Sequence, residues 1–199
     1  MAAPTAAACF KDWSKKSRLE RSELIVTLSA LAAASAPVCD RPGWDRLERL
    51  NGNWEVSVRY RVAPGNFQDG KAISEFRPGP APCTLIERTN GEVGGKPMQF
   101  LSVVAISHEG AFERAYLDSE HGRILHYTGV AEGSSIAFAL DHPASARFKS
   151  SATFALGPQS CPRITHRLST DDGKTWQDVL EFRFSPQTDA DRSCSIDGR

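Results

Sequence analysis

Trp54 to Val62 reads Trp-Glu-Val-Ser-Val-Arg-Tyr-Arg-Val, apolar and polar side chains alternating without a break. A period of two belongs to extended chain, whose successive side chains point to opposite faces. Wound as a helix, the same residues would scatter their apolar groups around the whole circumference. The segment therefore predicts a strand with one wet and one buried face, and the buried face demands partner strands.

The rest of the chain supplies them. Further strand candidates lie at 71–77, 83–89, 98–107, 111–117, 123–130, 135–141, 147–156, 163–169 and 175–184. Turn residues separate them, among them Ala63-Pro64-Gly65-Asn66, Pro78-Gly79-Pro80, Asn90-Gly91, Gly94-Gly95, Glu109-Gly110, His121-Gly122, Glu132-Gly133, Gly157-Pro158 and Asp172-Gly173. Such pairs between alternating runs are hairpin signals. Short strands at this spacing predict an all-β barrel or sandwich. Sequential hairpins, with no long crossover of the Greek-key kind, favour an antiparallel up-and-down barrel of about 8–10 strands. A helical period occurs only ahead of the first strand, where Trp44, Leu47 and Leu50 precede the breaker Asn51-Gly52-Asn53. With no convincing 3.6 period after Leu50, the pattern argues against βαβ topologies.

The N-terminal region is a different kind of sequence. Lys11, Lys15, Lys16, Arg18 and Arg21 precede the uncharged run Leu24 to Leu31, which fades into Ala32-Ala33-Ala34-Ser35-Ala36. A basic region, a short apolar core and small residues at an A-x-A site make residues 1–36 a candidate signal peptide or targeting segment. Cleavage after Ala34 keeps Pro37 clear of the cut. The alternative is an N-terminal amphipathic or core helix. The apolar run is too short for a stable membrane span. On this division 37–186 is the barrel domain and 187–199 a polar tail, and the product is exported.

Composition narrows the partners. Lys+Arg and Asp+Glu number 24 each among 199 residues, so the formal net charge is zero. A balanced chain offers no electrostatic reason to bind nucleic acid or an acidic membrane surface. No His-x-His, His-Glu-x-x-His or Cys-x-x-Cys spacing marks a metal site. Gly91-x-x-Gly94-Gly95-Lys96 is followed by Pro97 and a strand rather than a helix, so it reads as a hairpin loop and not a phosphate loop. Ser134-Ser135 lacks a Gly-x-Ser-x-Gly context. No cofactor motif and no catalytic motif is legible.

Candidate ligand contacts come from strand parity. Glu87 shares the parity of Leu85, and Arg59 and Arg61 share the wet face of the first strand. A Glu–Arg pair inside a barrel reads a ligand carboxylate, serves as acid and base, or simply closes one end as an ion pair. His166 shares the parity of Ile164 and Leu168. Turned inward, a buried histidine hydrogen-bonds a neighbour or ligates haem. Phe100, Phe112 and Tyr116 are among the strand aromatics that line a pocket or fill a core. The candidate ligand-binding set is thus Arg61, Glu87, Phe100, Phe112, Tyr116 and His166.

The start of the first strand, Leu47-Glu48-Arg49-Leu50-Asn51-Gly52-Asn53-Trp54, resembles the lipocalin-like, or calycin, superfamily in leading a short helical turn into Gly-x-Trp. Cys39-Asp40, Cys83-Thr84-Leu85-Ile86-Glu87, Tyr116-Leu117-Asp118-Ser119 and Ser169-Thr170-Asp171-Asp172-Gly173-Lys174-Thr175-Trp176 extend the likeness over about residues 39–185. Their order resembles a family of uncharacterised exported bacterial proteins with a lipocalin-like domain. The resemblance implies structural roles for Gly52 and Trp54, with Trp54 closing one barrel end under an Arg from a late strand, here Arg183. Four cysteines follow the targeting segment and allow three pairings. The resemblance implies Cys39–Cys83, which leaves Cys161–Cys194 to pin the tail. It also implies a non-enzymatic protein holding a small apolar or amphipathic ligand in the barrel. The alternatives are a barrel enzyme of isomerase, cyclase or lyase type acting through Glu87, Arg61, Tyr116 and His166, and a dry-core structural domain of the envelope.

Overall fold

The computed structural model describes residues 39–118, 122–141, 147–157, 160–187 and 194. The segment expected to be a targeting peptide lies outside these residues, as do His121, His142 and most of the polar tail.

Ten antiparallel strands hydrogen-bond in chain order and close on themselves. They are β1 (Gly52–Ala63), β2 (Asn66–Pro78), β3 (Thr84–Val93), β4 (Lys96–Ile106), β5 (Phe112–Asp118), β6 (Ile124–Glu132), β7 (Ser135–Leu140), β8 (Lys149–Ala155), β9 (Arg163–Ser169) and β10 (Gln177–Pro186). Closure is a single register: Val56 pairs with Ala72 on β2 and with Phe184 on β10. The up-and-down barrel expected from the alternation is the architecture observed. A closed sheet leaves no edge strand to template aggregation.

Two boundaries differ from the sequence expectation. Asn90-Gly91 is not a turn but lies inside β3, where Gly91 pairs with Ala72. A Cβ at Gly91 would collide with the Lys71 carbonyl and Ala72, so this glycine serves close approach between strands. The turn comes later, at Gly94-Gly95, with φ of 57° and 77°. In the same way β2 begins at Asn66, because the two-residue turn Pro64-Gly65, with Gly65 at φ 73°, reverses the chain.

One end of the barrel is plugged. Helix α1 (Trp44–Glu48) buries Leu47, and Leu50 follows it into the core. The segment from Cys39 to Leu50 makes contacts around most of the rim. Arg41 donates to the Ile106 carbonyl at the end of β4, and Arg49 to the Leu156 carbonyl after β8 at 2.6 Å. Gly43 lies against the Phe112 ring at the start of β5. The Trp54 indole donates to the Leu50 carbonyl at 2.6 Å, and Cys39 is bonded to Cys83 ahead of β3. Beneath the plug, Trp54, Phe76 and Phe184 meet edge to face, with ring centroids 5.7–6.2 Å apart.

Arg183 does not take the place over Trp54 that the resemblance implies. Arg183 pairs with Ser57 on the outer wall and donates from Nε to Glu181 at 2.6 Å. The side chain that β10 presents to Trp54 is Phe184, one residue on, because strand alternation turns position 183 outward. Cys161 is bonded to Cys194, tying the tail to the approach of β9.

Candidate functional site: a charged cluster across the lumen

The inward face of β5 carries Phe112, Arg114 and Tyr116. Phe112 packs under the plug. Arg114, one inward step further, is 1% exposed and crosses the lumen. Its Nε donates to Ser102 Oγ on β4 at 3.0 Å, and its Nη1 reaches His166 Nε2 on β9 at 3.4 Å. Its Nη2 lies 3.6 Å from Glu87 Oε2 on β3. The guanidinium is also held over the rings of Tyr116 and Phe154, at 4.8 and 4.9 Å to their centroids. Three strands that are not mutual neighbours are thus joined through one side chain.

The local sequence explains the placement. Ser102 pairs directly with Glu87 on one side and Tyr116 on the other, so small hydroxyls beside long side chains leave room for the arm. Thr89, the next inward residue on β3, hydrogen-bonds Ser74 on β2 and lies 3.4 Å from Glu87 Oε1. Further round, the Tyr127 hydroxyl and Ser150 Oγ are 3.2 Å apart.

Burial sets the electrostatics. Desolvation raises the Glu87 pKa above the ordinary carboxylate value, opposed by Arg114 and by hydrogen bonds from Ser102 and Thr89. Burial, reinforced by the Arg114 charge, holds His166 well below the ordinary imidazole value. His166 is therefore neutral. Because arginine can only donate, Nε2 must be the accepting nitrogen, which puts the ring proton on Nδ1.

Of the six expected ligand-contact residues, four gather here. Glu87 and His166 meet Arg114 directly. Tyr116 packs on both Arg114 and His166, with ring centroids 5.8 Å apart in the latter pair, and Phe100 packs on Tyr116 at 5.2 Å. Phe112 is inside the barrel but under the plug. Arg61 is not inside at all. It shares the outward parity of Ser57 and Arg59, and its Nε donates to the Ala63 carbonyl of its own turn at 3.2 Å. The arginine facing Glu87 is Arg114, which sequence inspection passed over. Its signal was present, since Arg114 stands between Phe112 and Tyr116 at the same parity. Four residues proposed for an enzyme, Glu87, Arg61, Tyr116 and His166, therefore do not form one set.

A groove of about 680 Å³ lies on the outer wall instead, lined by residues such as Ser57, Arg59, Lys71, Glu181 and Arg183. It does not include the lumen cluster.

No protein-family model and no curated protein matches the chain. The fold is similar to the crystal structure of Rv2717c from M. tuberculosis, with a TM-score of 0.51 and 15% identity. The match covers 74% of this chain and 98% of that one. At that identity the likeness speaks for the barrel alone.

Proposed function

We propose that this chain is a lipocalin-like binding protein, taking a small amphipathic ligand through the barrel end opposite α1. One observation carries the proposal: the two ends of the barrel are built differently. Leu47, Leu50 and Phe76 at the plugged end are fully buried. At the other end Tyr60 continues the inward alternation of β1 yet is 39% exposed, and Val62, at the register shift before the turn, is 43% exposed. Met98, Leu125, Leu140 and Leu180 are only partly buried there. Between the ends, Tyr116 and His166 retain 8% and 7% exposure, and Arg114 and Glu87 behind them almost none. An apolar rim above a polar floor suits a ligand with a hydrocarbon body and a polar head.

Export to an oxidising compartment belongs to the same proposal. Two disulfides, with no helix among the described residues long and apolar enough to cross a membrane, are compatible with it.

Titration with an apolar fluorophore tests the binding. Saturable binding that Leu180→Arg at the rim weakens, and Ile73→Arg on the outer wall leaves intact, is the expected result. Absence of saturable binding, or equal sensitivity to both substitutions, would leave the dry-core alternative standing.

A further inference from the structure

The binding proposal above fixes where a ligand head would arrive, and the lumen cluster specifies its chemistry. Glu87 Oε2 and Arg114 Nη2 are fully buried and form an ion pair at 3.6 Å, too long for a direct hydrogen bond, so each keeps hydrogen-bonding capacity that its partner does not fill. Around them the other contacts are taken: Glu87 Oε1 by Thr89, Arg114 Nε by Ser102 and Arg114 Nη1 by His166. What remains is one acceptor and one donor side by side. Buried polar atoms left without hydrogen bonds are costly, so a group that satisfies both is favoured there.

Charge decides between candidate groups. The formal charges of Glu87 and Arg114 cancel, and the neighbouring His166 is neutral. A carboxylate or an ammonium brought beside them would be buried without a counter-charge of its own. We propose that the barrel selects an uncharged head group carrying a donor and an acceptor on adjacent atoms, of the primary carboxamide kind. Its carbonyl would accept from Arg114 Nη2 and its N–H would donate to Glu87 Oε2. A protonated carboxylic acid presents the same pair of atoms. Tyr116, the next inward residue of β5 toward the open end, flanks the approach.

Displacement of a bound apolar fluorophore by ten-carbon ligands, at about pH 8 where a carboxylic acid is ionised, tests this. Decanamide is expected to bind at least about tenfold tighter than decanoate or decylamine. Glu87→Gln removes the negative charge and is expected to shift preference toward decanoate. Should that variant not fold, the intact protein still decides. Lowering the pH below about 4 largely protonates decanoic acid and is expected to strengthen its binding relative to decanamide. Decanoate equal to or tighter than decanamide on the intact protein at about pH 8, or a decanoic acid to decanamide ratio independent of pH, overturns the proposal. Failure of all three ligands to displace the fluorophore would instead defeat the binding reading beneath it.

Discussion

Arg114 is the residue on which the interior turns. Its charge is removed from water and answered by Glu87, Ser102, His166 and two aromatic faces. A buried pair of this kind costs desolvation on both sides, so its net contribution to stability is small, while removing one partner strands the other charge. Glu87→Ala is therefore expected to destabilise the fold by about 3–5 kcal/mol. Adding Arg114→Met should recover much of that loss, a coupling that a double-mutant cycle in urea reads directly. His166 gives the pH dependence. The folded protein holds it below its ordinary pKa, so the unfolded chain binds more protons as pH falls under about 6.5. Stability that His166 contributes above that pH is expected to be lost on acidification. Glu87 acts in the opposite sense, since its raised pKa makes the folded state bind the extra proton and weakens stability as pH rises above the ordinary carboxylate value of 4.5. Urea midpoints of wild type and His166→Gln, compared from about pH 5 to 7.5, isolate the histidine. Midpoints that stay parallel would show that His166 titrates alike in both states.

The β9–β10 hairpin shows how one side chain organises a connection. Asp171 accepts from the Thr175 hydroxyl at 2.7 Å, from the Thr175 amide at 2.9 Å and from the Ser169 hydroxyl at 2.8 Å. These hydrogen bonds, the Thr175 hydroxyl first, hold its pKa down to about 2 although the side chain is only partly buried. The carboxylate therefore supports the turn at all pH values above the ordinary range, and the support goes only as pH falls toward about 2. Asp171→Ala is expected to speed hydrogen exchange at the Thr175 amide while leaving the centre of β9 protected. Exchange unchanged at Thr175 would show the turn to be held by strand pairing alone. At this scale the sequence was largely legible. Period-two alternation and Gly-centred turns located all ten strands. It misplaced the end of β3 because Asn90-Gly91 carries a turn signature while Gly91 is used for inter-strand approach. Local sequence cannot separate those uses, since both ask only for the absence of a Cβ.

At the scale of the whole molecule, a closed sheet is finished by a plug and two covalent ties. Cys39–Cys83 spans 44 residues and fastens the α1 segment to the start of β3. Closing a loop of that length restricts the unfolded chain by about 4 kcal/mol in the chain-entropy account. Replacing both cysteines with serine is expected to lower the melting temperature and loosen the plugged end. The matching change at Cys161 and Cys194 should act on the tail and leave the plug intact. Limited proteolysis of the two variants distinguishes these outcomes: cleavage near α1 in both, or in neither, contradicts the assignment. By itself the sequence determined the all-β class, the order of strands and the inward parity of Glu87, Tyr116 and His166, because alternation is a local property of extended chain. Only the tertiary structure decided which residues meet. Strands β3, β5 and β9 are far apart in the chain, and barrel closure alone brings Glu87, Arg114 and His166 to one point. Arg61 fell away on parity alone, since it shares the outward face of Ser57 and Arg59, whereas Arg114 shares the inward parity of Phe112 and Tyr116. Parity says that a side chain faces inward, but the depth at which it enters the lumen is set by register around the closed sheet.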